Sequence, residues 1–134
     1  MITLEFIEEL IDVFLQGDNG EMSYALNRQT GEILLDAPEE LTGEPEIDWD
    51  DEEVAAFLVA IPQITSTEAF DIMVSFAEKQ DDRIANQLVT VLNGRRPFRS
   101  FKDKLNELGV ENQWYVFESD YAKYRITEWL EGLQ

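Results

Sequence analysis

The 134-residue chain contains no cysteine and no histidine. Without cysteine there are no disulfides, no thiol nucleophile and no thiolate metal ligands. Without histidine there is no Ser-His-Asp triad and no imidazole for a zinc site. Basic residues are scarce, 10 Lys and Arg against 29 Asp and Glu, which leaves a net charge of −19. Long apolar runs are missing as well: the longest, Val54 to Pro62, falls far short of the roughly 20 residues that span a bilayer. The opening residues, Met1 to Glu5, lack a basic stretch and turn acidic within one helical turn. A secretory leader is therefore not expected, and a cytoplasmic location is.

What remains is enough to fold. Hydrophobic residues make up 44% of the chain, with 8 Phe, 4 Tyr and 3 Trp. A chain of this length buries roughly two-thirds of its unfolded surface, whereas acidic disordered tails lack the apolar material to do so. Residues 1–134 are expected to form a single α+β domain.

The charge is unevenly placed. Residues 1–53 hold 17 acids and a single base, Arg28, while residues 54–134 hold 12 acids and 9 bases. The first stretch repels DNA, RNA and anionic membranes, so direct nucleic-acid or membrane binding is not expected there.

Along the chain, Leu4, Ile7, Leu10, Ile11, Phe14 and Leu15 form a helical stripe, with Thr3 as its N-cap and Gly17 to Gly20 as its stop. Residues 23–35 alternate about turn residues Asn27 to Gly31, which predicts a β-hairpin with Gly31 in a left-handed conformation. Residues 36–53 hold ten acids with Pro38, Gly43 and Pro45 and no base. They read as an acidic loop with a short helical turn after Pro38, held down by Leu41, Ile47 and Trp49. Ala55 to Ile61 fits either a third strand or a buried helical segment. Thr65 to Glu68 matches a capping box and opens a helix; Asp81-Asp82 opens another, ended by Asn93-Gly94. Pro97 starts a third, with Phe98 and Phe101 as core residues, and Trp114 to Phe117 leads into a last one. The expectation is about five helices packed with a β-hairpin or small antiparallel sheet.

The candidate chemistry is sparse. Counting an EF-hand loop from Asp48 puts Glu53 where glycine is needed and Val59 where glutamate is needed, so the acidic loop is not a calcium loop. The glycines form neither a dinucleotide fingerprint nor a phosphate loop. No catalytic residues, cofactor or metal are assigned. Arg95 to Lys104 is the most informative segment, because it gathers five of the ten bases and carries a local charge of +4. Arg95, Arg96, Arg99 and Lys102 are the candidate contacts for an anion or a partner, with Trp114 and Tyr115 nearby. The alternative is that these bases neutralise the protein's own acids, the 36–53 loop included. The aromatic series Trp114, Tyr115, Phe117, Tyr121, Tyr124 and Trp129 reads as core or as a ligand groove.

Several of these residues also carry a resemblance. They are Tyr24 with Thr30-Gly31-Glu32, Ile61-Pro62, Phe70-Asp71-Ile72-Met73 with Phe76, and Gly94. To these are added Pro97-Phe98-Arg99-Ser100-Phe101-Lys102-Asp103, Trp114-Tyr115-Val116-Phe117 and Glu128-Trp129-Leu130. In this pattern the chain resembles an uncharacterised bacterial "UPF" protein family over nearly everything after residue 20. The resemblance implies a bacterial cytoplasmic protein and brings no established reaction.

Three functional expectations follow. The first is a non-enzymatic protein that binds a macromolecular partner, most simply another protein. The second is a nucleic-acid mimic whose carboxylates block a basic DNA- or RNA-handling protein. The third is a carboxylate- and metal-dependent enzyme, which requires a concave cluster of buried acids.

Overall fold

The computed structural model describes residues 4–17 and 22–133. Contacts divide the chain into two compact units, residues 1–64 with 126–134, and residues 65–125.

In the first unit, helix α1 (Leu4–Gln16) buries Leu10, Val13 and Phe14. Its stripe is narrower than the sequence implies, since Leu4 at the helix start is exposed. Gly17 ends α1 with φ of 79°, and a Cβ there would lie 3.4 Å from the Ile64 carbonyl oxygen. Both constraints favour glycine. The expected N-cap Thr3 and the stop residues Asp18 to Gly20 lie outside the described residues.

The hairpin forms as expected. β1 (Ser23–Asn27) pairs antiparallel with β2 (Ile33–Asp36), Tyr24 opposite Leu35 and Leu26 opposite Ile33. The Asn27 Oδ1 accepts from the amides of Gln29 and Thr30, and Gly31 sits at φ of 80°. A third strand, β3 (Leu58–Ala60), pairs antiparallel with the other edge of β1, in the order β2-β1-β3. Adjacent strand residues face opposite sides of a sheet. Ala25 and Leu26 are both buried, so both faces of the central strand are covered.

Two four-residue helices, α2 (Glu39–Thr42) and α3 (Glu52–Ala55), flank the acidic loop. The second resolves the ambiguity at 55–61, which is the end of a helical turn followed by a strand. The loop is held differently from the expectation. Leu41 is 52% exposed and Trp49 40% exposed, so apolar burial does not pin them. Instead, the Asp36 carboxylate accepts from the Ile47 amide at 3.1 Å and from the Trp49 indole Nε1 at 2.9 Å. Arg28, the one base of residues 1–53, donates to the Leu133 carbonyl at 3.0 Å.

The second unit is helical. α4 (Ser66–Glu78) starts at Thr65, whose Oγ1 accepts from the Glu68 amide, and α5 (Asp82–Leu92) starts at Asp81, which caps the Ile84 amide. These caps satisfy donors that a helix start leaves unpaired. α6 (Pro97–Leu108) has Pro97 in its first turn and ends at Gly109 with φ of 73°. α7 (Glu111–Gly132) already includes Trp114 to Phe117, which the sequence reading placed before the helix; its residues from Ile126 onward belong to the first unit. The core of the second unit is aromatic. The Trp114 ring lies 5.1 Å from Phe101 and 5.4 Å from Phe76, both edge-on, and 6.2 Å from Phe117 in a stacked geometry.

The described residues thus form seven helices and a three-stranded antiparallel sheet, an α+β fold. Five helices was an undercount. α2 is the short helical turn expected after Pro38, which the count of five left out; α3 was missed, being about one turn long, over which no 3.6-residue period can show.

Candidate functional site

The basic segment begins where the chain turns from α5 into α6. A residue before proline is pushed out of the right-handed helical region. Arg96 leaves it not for the usual extended backbone but for a left-handed conformation (φ 50°), and among the described residues it is the one non-glycine with positive φ. Such a conformation costs an L-residue roughly 1–2 kcal/mol. The turn is fastened behind it: the Ser100 hydroxyl donates to the Arg95 carbonyl and the Ser100 amide to that of Arg96.

Arg95, Arg96, Arg99 and Lys102 are all exposed. Among the described residues, the unit's ion pairs are Lys104 with Glu107 and Arg125 with Glu68, each at 3.0 Å. Arg95, Arg96 and Arg99 take part in neither. No acid lies in the first turn of α6, and no side chain caps its start. Cations there face the positive end of the helix dipole, which is unfavourable. Lys102 acts on Glu118: burial pushes that carboxyl up from its ordinary range, and the Lys102 charge opposes the push.

The two aromatic candidates separate. Trp114 is 1% exposed and sits inside the aromatic core, so it offers no surface to a partner. Its indole Nε1 has no hydrogen-bond partner among the described residues. Tyr115, one position on, is 51% exposed, and Val116 and Tyr124 are exposed too. Phe98 also departs from expectation, being 37% exposed where a core residue was expected. The buried line of α6 runs through Phe101 and Leu105, four residues apart, and Phe98 lies off its end in the first turn. The exposed rim therefore combines four cations with Phe98.

A second feature was half legible: Phe117 and Tyr121 belong to the aromatic series read as core or as a ligand groove, while the α4 side of that groove escaped the sequence. A groove of about 580 Å³ lies between α4, which contributes Asp71, Ile72, Ser75 and Lys79, and α7, which contributes Phe117, Asp120 and Tyr121. The spacings 71, 72, 75, 79 and 117, 120, 121 each mark one helix face. At one end the Lys79 ammonium stands 4.8 Å from the Phe117 ring centre. At the other end the Tyr121 hydroxyl donates to Glu68, whose same oxygen pairs with Arg125. Tyr121 holds its proton up to about 12, because burial, the bond to Glu68 and the charges of Glu68 and Asp71 outweigh Arg125. Neither helix alone marks a groove; the packing of α4 beside α7 brings the two faces together.

Acids do not gather into a centre. Among the described residues no polar or charged side chain is fully buried, and no three Asp or Glu side chains are grouped to hold a metal ion. No helix of the described residues is long and apolar enough to cross a membrane.

These features define a class, an acidic α+β protein with a helical unit that carries an exposed basic rim. The chain belongs to the Uncharacterised protein family designated UPF0158, whose sequence profile matches residues 2–134. The family-level resemblance read from the sequence therefore holds. No curated protein and no solved structure gives a significant match.

Proposed function

We propose that this is a non-enzymatic cytoplasmic protein that binds an acidic protein partner through the rim formed by Arg95, Arg96, Arg99 and Lys102. One observation carries the reading. Arg95, Arg96 and Arg99 are exposed and outside the ion pairs of their own unit, at the start of a helix whose dipole disfavours them. A charge arrangement that costs stability is better explained by an interaction outside the unit than by folding. Phe98 and Tyr115 supply exposed aromatic surface of the kind that anchors interfaces. Trp114, buried, is not part of the contact set.

The test is affinity capture of tagged protein from its host at low salt, repeated with Arg99→Glu. A defined partner, lost in the variant and released by salt, is the expected result. An unchanged set of partners in the variant would remove the rim as the interface.

Nucleic-acid mimicry by the acidic stretch keeps one specific support. Asp36 ties the loop to itself at Ile47 and Trp49, which makes it a more defined surface than its composition implies. Salt-sensitive binding to a basic DNA-handling protein, abolished by Asp36→Ala, is what that reading predicts.

A further inference from the structure

The groove between α4 and α7 has no part in the function proposed above. We propose that it is a binding site for a linear alkylammonium ligand, a polyamine, with Asp71 and Asp120 as its carboxylates and the Phe117 ring and Ile72 as its apolar bed.

The chain itself displays the chemistry. The Lys79 side chain is an ammonium on a four-carbon stem, and it rests over the Phe117 ring at 4.8 Å from the centroid, within cation–π range. The ring face that lines the groove thus already accepts a group of this kind. Asp71 and Asp120 stand on opposite walls, one from each helix, both exposed and both outside the ion pairs of the unit. Two carboxylates lining one groove with an aromatic and aliphatic floor match two ammonium groups joined by methylenes.

Of the groove's other charges, Lys79 competes with the ligand for the Phe117 ring, and Arg125 does not. Arg125 is paired with Glu68, so the end near Tyr121 carries no free cation. Lys79, when displaced by a ligand, is a flexible lysine at the end of α4 that can swing into solvent. An anion would face both carboxylates. A calcium ion would require six or more oxygen ligands, and the groove offers two carboxylates and the Ser75 and Tyr121 hydroxyls, the latter held by Glu68. The volume of about 580 Å³ lies within the roughly 300–1,000 Å³ typical of small-molecule sites.

Because the whole chain is so acidic, the experiment must separate this groove from diffuse attraction. The full chain is titrated with spermidine at about 0.15 M salt, where long-range attraction is screened, and the ring resonances of Phe117 and Tyr121 are followed by NMR. Saturable shifts of those rings are expected. Asp71→Asn with Asp120→Asn is expected to weaken binding at least about tenfold, because both exposed ion pairs to the ligand are lost. Asp48→Asn with Asp50→Asn removes the same charge from the acidic loop and should leave the affinity unchanged. Lys79→Met, which clears the internal ammonium and keeps an apolar stem, should strengthen binding severalfold. N-acetyl-lysine methylamide, a single ammonium like that of a partner protein's lysine, should bind at least about tenfold more weakly than spermidine, because it engages one carboxylate. All four acids are exposed, and unchanged circular dichroism confirms that the variants fold. Equal weakening by the loop variant would overturn the site, as would a weaker Lys79→Met complex or equal binding of the lysine analogue.

Discussion

Residues 36–53 hold ten carboxylates and no cation, and several of those carboxylates organise the backbone around them. Asp36 accepts from Ile47 and Trp49, Asp48 from the Asp50 amide and Asp51 from the Glu53 amide. Residues 95–104 hold five cations, and three of them, Arg95, Arg96 and Arg99, organise nothing within their unit. The difference has a physical source. Loop amides have no regular partner and need acceptors, which carboxylates supply. The free amides at the start of α6 also need acceptors, but a cation can accept nothing, so Arg95, Arg96 and Arg99 project outward. A run of acids in a loop is thus partly structural, whereas a run of bases at a helix start is available to something else.

The largest expected effect concerns the floor beneath the basic rim. Phe101→Ala removes a fully buried ring from the aromatic core and should cost about 3–5 kcal/mol in a denaturant titration. Phe98→Ala, three residues away on the rim, should change stability by less than about 1 kcal/mol. Comparable losses for the two would erase the distinction between rim and core.

Next comes the loop. Asp36→Ala leaves the Ile47 amide and the Trp49 indole without their acceptor and should cost about 1 kcal/mol. Faster hydrogen exchange at Ile47, with no change at Gly31, would localise the effect. Protection that survives the substitution would mean that the carboxylate does not hold the loop.

The helical unit also has an alkaline limit. Tyr121 is pushed up to about 12 from its ordinary 10.0, chiefly by burial and then by Glu68. Its protonated form is favoured in the folded state, so its contribution is complete below about pH 10 and disappears as pH rises towards 12. Glu68→Gln should bring the tyrosinate titration back towards 10 and narrow that window, read by ultraviolet absorbance. The smallest effect is expected at the rim itself, where Arg99→Glu places a favourable charge at the helix start and should stabilise by about 0.3–1 kcal/mol.

Much of the fold was legible because its signals are local. Gly31 in the hairpin turn, Thr65 and Asp81 as caps, and Pro97 and Gly109 bracketing α6 each act within a few residues. Pro38 signalled α2, whereas α3 was not legible, since one turn has no period. Leu41 and Trp49 were misread because an apolar residue in an acidic loop suggests an anchor, while the anchor is the Asp36 carboxylate. Phe98 was misread for a related reason: its spacing from Phe101 fits a stripe, yet the first turn of α6 ends before the core does. Among the candidate contacts, exposure separates the arginines and Tyr115 from buried Trp114, and exposure depends on packing that adjacent letters cannot encode.

On this reading the three arginines of the α6 rim, Arg95, Arg96 and Arg99, contribute nothing to holding the protein together. Equilibrium urea unfolding of the full chain, native against Arg99→Glu at low salt, tests it most directly. The account predicts a midpoint that is unchanged or slightly raised. A loss of more than about 1 kcal/mol, well beyond the usual range for a surface substitution, would show that the rim is an internal charge clamp and not an interface.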